Sequence, residues 1–514
     1  MTTNNDSRYL PIQIRLPLRR IRHTLALTAL VSCGLARIAN AQVTGQVVQQ
    51  FFVPFPETDF KTSLQAIAIG TTVTTNLETI VSIVVGATNT IIVYDHWEDG
   101  YENDLNNPVQ ASTQIWGDGN TNNGVAPGYP NDILPPGAVI TLTNVVTLPR
   151  NPSVVKYDGR DRIGATRPVT ITRAGWETTI GTLLASATEV YDTSRYGTYF
   201  IIPVGTNTTP AIQNFSYSSL YIIAAANGTV VQVDINGDGV MDVTNTLNMG
   251  ESMFVNGGVL CGATVTASKP VQVHQLTGRI GSNYQSRTFA IRPVSQWDTS
   301  YYAPVGTTSA SYVHNVFVFN QYLTNITVLY STQTTNSSFT VTNKSTYKFP
   351  MPLNSGAHFY TTNGVTFYAV GANDSGSTTV GNNQNYDWGY ALLPAAALTP
   401  VVIVGWAPDS ADLSANGSPV WVTPTKAATI YVNYSGNYNT GPLVAPNGHR
   451  YDTNFTLAAY QFQTIYNATT KTMTGARIFT VDGTTFAAAW GEDPSVAGTG
   501  SPYVDAGTGI IPFP

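Results

Sequence analysis

Residues 262–306 read GATVTASKPVQVHQLTGRIGSNYQSRTFAIRPVSQWDTSYYAPVG. Alternating apolar residues make TVTA a strand, Lys269-Pro270 interrupts it, and VQVHQL resumes the alternation. A polar loop and an aromatic strand ending at Pro304-Val305-Gly306 follow. The same grammar occurs three more times. RDRIGATRPVTITRAGW leads to YFIIPVG at 199–205, GAHFYTTNGVTFYAVGA leads to YDWGYALLPAA, and GARIFTVDGTTFAAAWG leads to YVDAGTGIIPFP. Gly262 to Pro270, Gly356 to Gly364 and Gly475 to Gly483 are each eight residues apart. Self-similarity at a fixed offset marks repeat architecture.

Working outward, four units span 77–206, 207–306, 307–396 and 397–514, after a lead-in at 42–76 that supplies an edge strand or a cap. The units open on paired strands such as TIVSIVVG with TIIVYD, and SLYIIAA with TVVQVD across the hairpin signal Asn227-Gly228. The expected fold is all-β, with about four tandem pseudo-repeats of five to six short strands and no segment of helical period. Units of about 100 residues exceed one propeller blade. Each is therefore a β-sandwich-like module or part of a propeller-like array. Residues 103–132, rich in Gly, Asn and Pro, are an insertion in the first repeat, placed where repeat arrays often carry their working face.

The 514 residues are 42% hydrophobic and only 11% charged, against about 25% charged for ordinary soluble domains. Four arginines (15, 19, 20, 22) precede the apolar run at 24–36, and Ala39-Asn40-Ala41 fits a small-x-small cleavage site. Residues 1–41 therefore read as a signal peptide cleaved after Ala41, which places the chain outside the cell or at its surface. The alternative is a lipoprotein box ending at Cys33, which would carry a lipid anchor. Removing 1–41 takes six arginines and one aspartate, so 24 basic and 30 acidic residues become 18 and 29, a net charge of −11. That balance argues against nucleic acid and anionic membranes as partners. No second apolar run reaches membrane-spanning length. Cys261, alone in such a mature chain, reads as a buried inert thiol.

RPVTITR, KPVQVHQLTG, YGTYFIIPVG, TSYYAPVG and NGTVVQVD with NMGES together resemble the IgG-Fc-binding-protein N-terminal domain family, and VYDHWEDGYE with DRIGATRPV resembles its bacterial surface-protein branch. The resemblance covers most of 80–310 and continues only as degenerate copies beyond, where Gly364 and Gly483 replace the proline. It implies an extracellular, non-catalytic binding or adhesion module whose partner is a protein or a glycan. It does not imply that antibody is the ligand.

Two stretches carry candidate chemistry. Asp234, Asn236, Asp238, Val240 and Asp242 occupy positions 1, 3, 5, 7 and 9 of a calcium-type loop with Gly239 at position 6, but Asn245 stands where the bidentate Glu would be. The same residues suit a Gly-rich hairpin turn that satisfies its own backbone. In the first repeat Asp95 and Asp99 align with Asp234 and Asp238, which makes them a second candidate calcium site, with Trp97, Tyr101, Glu98 and Glu102 as ligand-contacting residues. The competing readings are a glycosidase-like acid pair, Glu98 with Glu102, and an acidic loop paired with Arg160, Arg162 or Arg167. No GxSxG, HExxH, Walker or CxxC motif occurs. Trp176, Trp297, Trp388 and Trp490 read as one aromatic plug per repeat, or as platforms for sugars in a carbohydrate-binding protein. A structural coat or matrix component is the remaining class.

Overall fold

The computed structural model describes residues 45–513 apart from 69–72, 74–75, 125–128, 179–183, 209–212, 284, 308–312, 374–386, 409–416 and 493–505. Residues 1–41, expected to be a signal peptide, and Cys33 among them lie outside the described residues. The chain is all-β, built from four copies of one eight-stranded unit. The third copy shows the pattern most simply. Ser300–Ala303, Ala357–Tyr360, Ile326–Thr332 and Asn336–Val341 lie side by side in one antiparallel sheet. Thr346–Pro350, Asn315–Phe319, Tyr368–Ala372 and Gly389–Ala391 make the other. In chain order the sheets run first-sixth-third-fourth and fifth-second-seventh-eighth, and the copies starting at Gln49–Phe52 and Val401–Ile403 repeat both orders, the latter with an added two-stranded hairpin, Leu443–Val444 with Arg450–Tyr451, between its third and fourth strands.

The second copy has the same order with one difference: its sixth and seventh strands are fused into Thr264–Gly278, which pairs with one sheet before Lys269-Pro270 and with the other after it. The register slips between Thr266 and Val271, where a bulge lets one strand turn from sheet to sheet. Three- and four-residue strands raise each unit to eight, because so short a segment carries too little alternation to read. Gly197–Ile201 and Ser300–Ala303, which look like endings in the sequence, pair forward with Thr264–Gly278 and Ala357–Tyr360.

Each pair of sheets encloses a core. In the first unit Val81, Ile83, Ile140 and Ile171 of one sheet meet Phe51, Ile92, Tyr94 and Ile163 of the other. Trp176, Trp297, Trp388 and Trp490 are all buried, with Trp176 stacked on Trp406 and Trp388 on Trp421. Cys261 is buried too, its thiol pushed up to about 11 by desolvation.

The units close into a ring. Their eighth strands, Ala185–Glu189, Ser286–Ile291, Gly389–Ala391 and Gly507–Gly509, each run beside the next, and the last runs beside the first. Small side chains permit this approach. Ser186 Oγ and Thr288 Oγ1 are 2.6 Å apart, and a Cβ at Gly507 would sit 2.4 Å from Trp388. The space enclosed by Glu189, Ala290, Ala391, Thr508 and Gly509 is about 10 Å³, room for no more than about one water. Repeats one and four seal the ring through Ile80, Ala174 and Trp176 against Val404, Trp406 and Trp490, and through Ser82 Oγ, which donates to the Gly405 carbonyl at 2.7 Å. Sandwich and propeller-like array are thus both present: four sandwiches stand as blades around one axis.

One helix departs from the all-strand reading. Glu57–Ile67 buries Phe60, Ser63, Leu64 and Ile67, the i, i+3, i+4, i+7 stripe of an amphipathic helix. It packs on Tyr217, Tyr221 and Leu276 of the second repeat, and Glu57 and Asp59 in its first turn favour the helix dipole. Among the described residues no helix is long and apolar enough to cross a membrane.

Candidate functional site

A groove of about 690 Å³ opens where the first two repeats meet. One wall is the helix start, Pro56 to Asp59, and the floor is Trp97, Arg150, Gly159 and Arg160 of repeat one. The far wall is the edge strand Val243–Leu247 with Glu251 and Ser252 of repeat two. The guanidinium carbons of Arg160 and Arg150 lie 4.4 and 5.3 Å from the Trp97 ring centroid, close enough for cation–π attraction. Trp97 is also held from beneath, its indole N–H donating to Asp158 at 3.0 Å. Asp59, on the rim, has its carboxyl pushed up to about 6 by burial. The groove therefore offers a rigid aromatic surface flanked by both signs of charge.

Beneath the floor lies a buried polar network. Asp95 ends the strand Ile92–Asp95 opposite Arg162 in the register, and the Arg162 Nε donates to it at 2.8 Å. Arg173 pairs with Glu57 at 2.8 Å. Arg150 bridges Glu98 and Asp158, with its Nε 2.6 Å from the latter. Asp161 accepts from the Tyr94 hydroxyl at 2.7 Å and from the Asp158 N–H at 3.0 Å. Burial pushes its carboxyl up to about 7. Burial also raises Asp158 and Glu98, and the neighbouring Asp158 charge raises Glu98 further. For His96 burial, the largest influence, acts downward, but Asp161, Glu98 and the Lys156 carbonyl together act upward and the net shift is upward. Asp95, Glu98 and Glu102 thus have buried carboxylates rather than solvated ones, and of the three arginines considered for the segment Arg162 takes Asp95.

The other residues singled out in this segment have separate tasks. Glu102 accepts the Val109 and Gln110 N–H groups at 2.8 and 2.7 Å and the Thr113 hydroxyl at 2.7 Å. It anchors the insertion, while the Glu98 carboxylate faces Arg150 and the Lys156 N–H. Tyr101 donates its hydroxyl to the Arg160 carbonyl at 2.7 Å and sets that loop. Asp99 is exposed and accepts from the Ser112 hydroxyl. Asp95 and Asp99 therefore serve different partners. Trp97 alone of these residues lines the groove.

In repeat two Asp234 accepts the Gly237 N–H with Oδ1 at 2.7 Å and the Gly239 N–H with Oδ2 at 2.8 Å. Gly237 and Gly239 have φ of +74° and +92°, which a residue without Cβ adopts readily. Asp242 accepts from the Ile235 N–H, Asp238 from the Val240 N–H, and Asn236 from the Asp238 N–H. Asp234 is buried, and 236–242 are exposed.

Asp158, Asp161 and Arg150 are site residues that sequence reasoning missed. They lie more than fifty positions from Glu98, or within the repeat signature DGRDR, where they pass for fold grammar.

No family model matches the chain, and no curated protein matches it. One solved structure found to be similar, an anti-sigma factor domain-containing protein from Clostridium clariflavum, is 9% identical over 67% of this chain and 85% of that one, at a TM-score of 0.09. That likeness carries no argument about fold or function.

Proposed function

We propose that the chain is an extracellular or cell-surface binding module, of the kind implied by its resemblance to IgG-Fc-binding-protein N-terminal domains, and that its protein or glycan ligand seats in the groove over Trp97. The observation that carries this reading is the groove itself: a concave site at a repeat junction with a fixed aromatic floor and convergent polar groups is the usual form of a recognition site. The export signal, the low charge density and the surface rich in hydroxyl and amide groups support the extracellular setting. The interior of the ring is packed, so the ring serves as a scaffold that fixes the junction. Its role resembles that of rigid frames elsewhere that carry binding surfaces at their edges.

The test is equilibrium binding of the protein to immobilised antibody Fc, mucin glycoprotein and a glycan array, with Trp97→Ala and Arg160→Ala beside the wild type. At least one ligand class should bind, and Trp97→Ala should weaken it about tenfold or more, as truncation of a central aromatic does. Retention of full affinity by both variants would move the site elsewhere.

A further inference from the structure

The network under the groove floor brings together three side chains of metal-ligating type. Ligand atoms of His96, Glu98 and Asp161, one from each residue, lie within 4.8 Å of one another. The side chains are 1%, 2% and 0% exposed. Two of their polar atoms, His96 Nε2 and Glu98 Oε2, are buried without a hydrogen-bond partner. A buried polar atom left unpaired costs free energy, and two such atoms in one cluster point to something that binds them. We propose that His96, Glu98 and Asp161 hold one divalent transition-metal ion of the zinc type.

The surroundings match such a site. His96 Nδ1 lies 3.0 Å from the Lys156 carbonyl, so a proton there donates to that oxygen and leaves the lone pair on Nε2. Metal-bound histidines are commonly oriented by this bond. Oε1 of Glu98 accepts from the Lys156 N–H at 2.8 Å and from Arg150, which turns Oε2 away from them. Asp161 is steadied through Oδ2 by Tyr94 and Asp158, and its Oδ1 meets only the Trp97 N–H at 3.4 Å. His96 Nε2 and Glu98 Oε2 are thus left for an ion, and Asp161 is already beside the imidazole, its Oδ2 3.4 Å from His96 Nδ1.

Charge gives a second, independent reason. Glu98, Asp158 and Asp161 face one guanidinium, Arg150, because Arg173 is committed to Glu57 and Arg162 to Asp95. With His96 neutral, as a metal-bound imidazole is, the three carboxylates exceed the guanidinium by two charges, and a divalent ion cancels them. The imidazole selects the metal class. Calcium and magnesium prefer oxygen alone, whereas one nitrogen with two carboxylates suits zinc, manganese or iron(II). Zinc bonds of about 2.1 Å set tetrahedral ligand atoms roughly 3.4 Å apart, so ligand atoms spread over as much as 4.8 Å must draw in by up to about 1.4 Å. The ion would pin the segment carrying Trp97 to the segment carrying Arg150 and Arg160. The assignment does not depend on what the groove binds.

The full-length protein, stripped with chelator and dialysed, should be titrated with Zn²⁺ and separately with Ca²⁺ by calorimetry, with bound metal counted by mass spectrometry. One zinc per chain is expected, with His96→Gln and Glu98→Gln each weakening it about 100-fold or more and with calcium not competing. Because a variant could fail to fold, Co²⁺ is added to the wild type as well, where visible d–d absorption should appear at one equivalent. Absence of zinc binding and of cobalt absorption in the wild type would overturn the site. So would a zinc affinity unchanged in both variants, or zinc readily displaced by calcium.

Discussion

Asp95 and Asp234 end the same strand in repeats one and two, and each stands opposite the sixth strand of its unit. Their fates differ because the opposing residue differs. Asp95 faces Arg162 and makes a buried ion pair, while Asp234 faces Thr264 and turns its oxygens to the N–H groups of the following turn. Burial completes the divergence. The segment after Asp95 packs against the 150–161 segment, which brings Arg150, Asp158 and Asp161 against it. The segment after Asp234 meets solvent. One position of a repeat thus becomes either an electrostatic keystone or a self-sufficient turn, according to one cross-strand neighbour and what packs above it.

The comparison breaks most visibly at Arg162. Arg162→Met leaves Asp95 buried without its cation, and removal of one partner from a buried pair costs about 3–5 kcal/mol. Urea unfolding should show that loss, and Arg162→Met with Asp95→Asn should recover much of it because no charge is then stranded. A loss below about 1 kcal/mol for Arg162→Met would mean that Asp95 is no more committed to its cross-strand partner than Asp234 is.

Glu189 sharpens the comparison from the other side, being buried at the ring axis with the Thr172 hydroxyl as donor, at 2.8 Å, in place of a guanidinium. Burial raises its carboxyl from 4.5 to about 8. The folded state then holds a proton that the unfolded state has released, so its contribution to stability is complete below about pH 4 and disappears as pH rises towards 8. Over that window stability should fall by up to about 1.4 kcal/mol per pH unit from this group. Glu189→Gln, which cannot ionise, should flatten the decline measured by urea unfolding at pH 5, 6, 7 and 8. An identical slope in wild type and variant would show that Glu189 keeps its charge inside the ring.

Much of the architecture was legible because repetition is a local property. The stretch at 262–306 and its copies announce four β units, since alternation and turn residues act within a few positions. Ring closure was not legible. It depends on Ser82 reaching Gly405 and on Gly507 lying against Trp388, and nothing near either glycine says which distant surface will approach it. The helix was legible in principle, in the spacing of Phe60, Leu64 and Ile67, but its short apolar run sits among strand-like residues that mask the period. Within the site, the DHWED segment stood out by its charge. Its role did not, because the deciding partners Asp158, Asp161 and Arg162 lie in a segment whose pattern also serves the sixth strand.

The smallest effect is expected where the acid is satisfied locally. Asp234→Ala removes the acceptor for the Gly237 and Gly239 N–H groups, and at a turn where water can reach the freed donors the cost is about 1 kcal/mol. Unfolding should leave the sheet pairing Val231 to Ala267 intact, since that register rests on backbone bonds and on core residues such as Val231 and Val233. The measurement is repeated with millimolar calcium and with chelator, for the wild type and for Asp234→Ala with Asp238→Ala. A turn that only caps itself has the same stability in both solutions. A calcium-dependent gain, lost in the double variant, would be the mass-action signature of an ion bound to the native state alone. It would make the second repeat's turn a cation site as well, with solvent-facing oxygens taking the place of the buried arginines of the first.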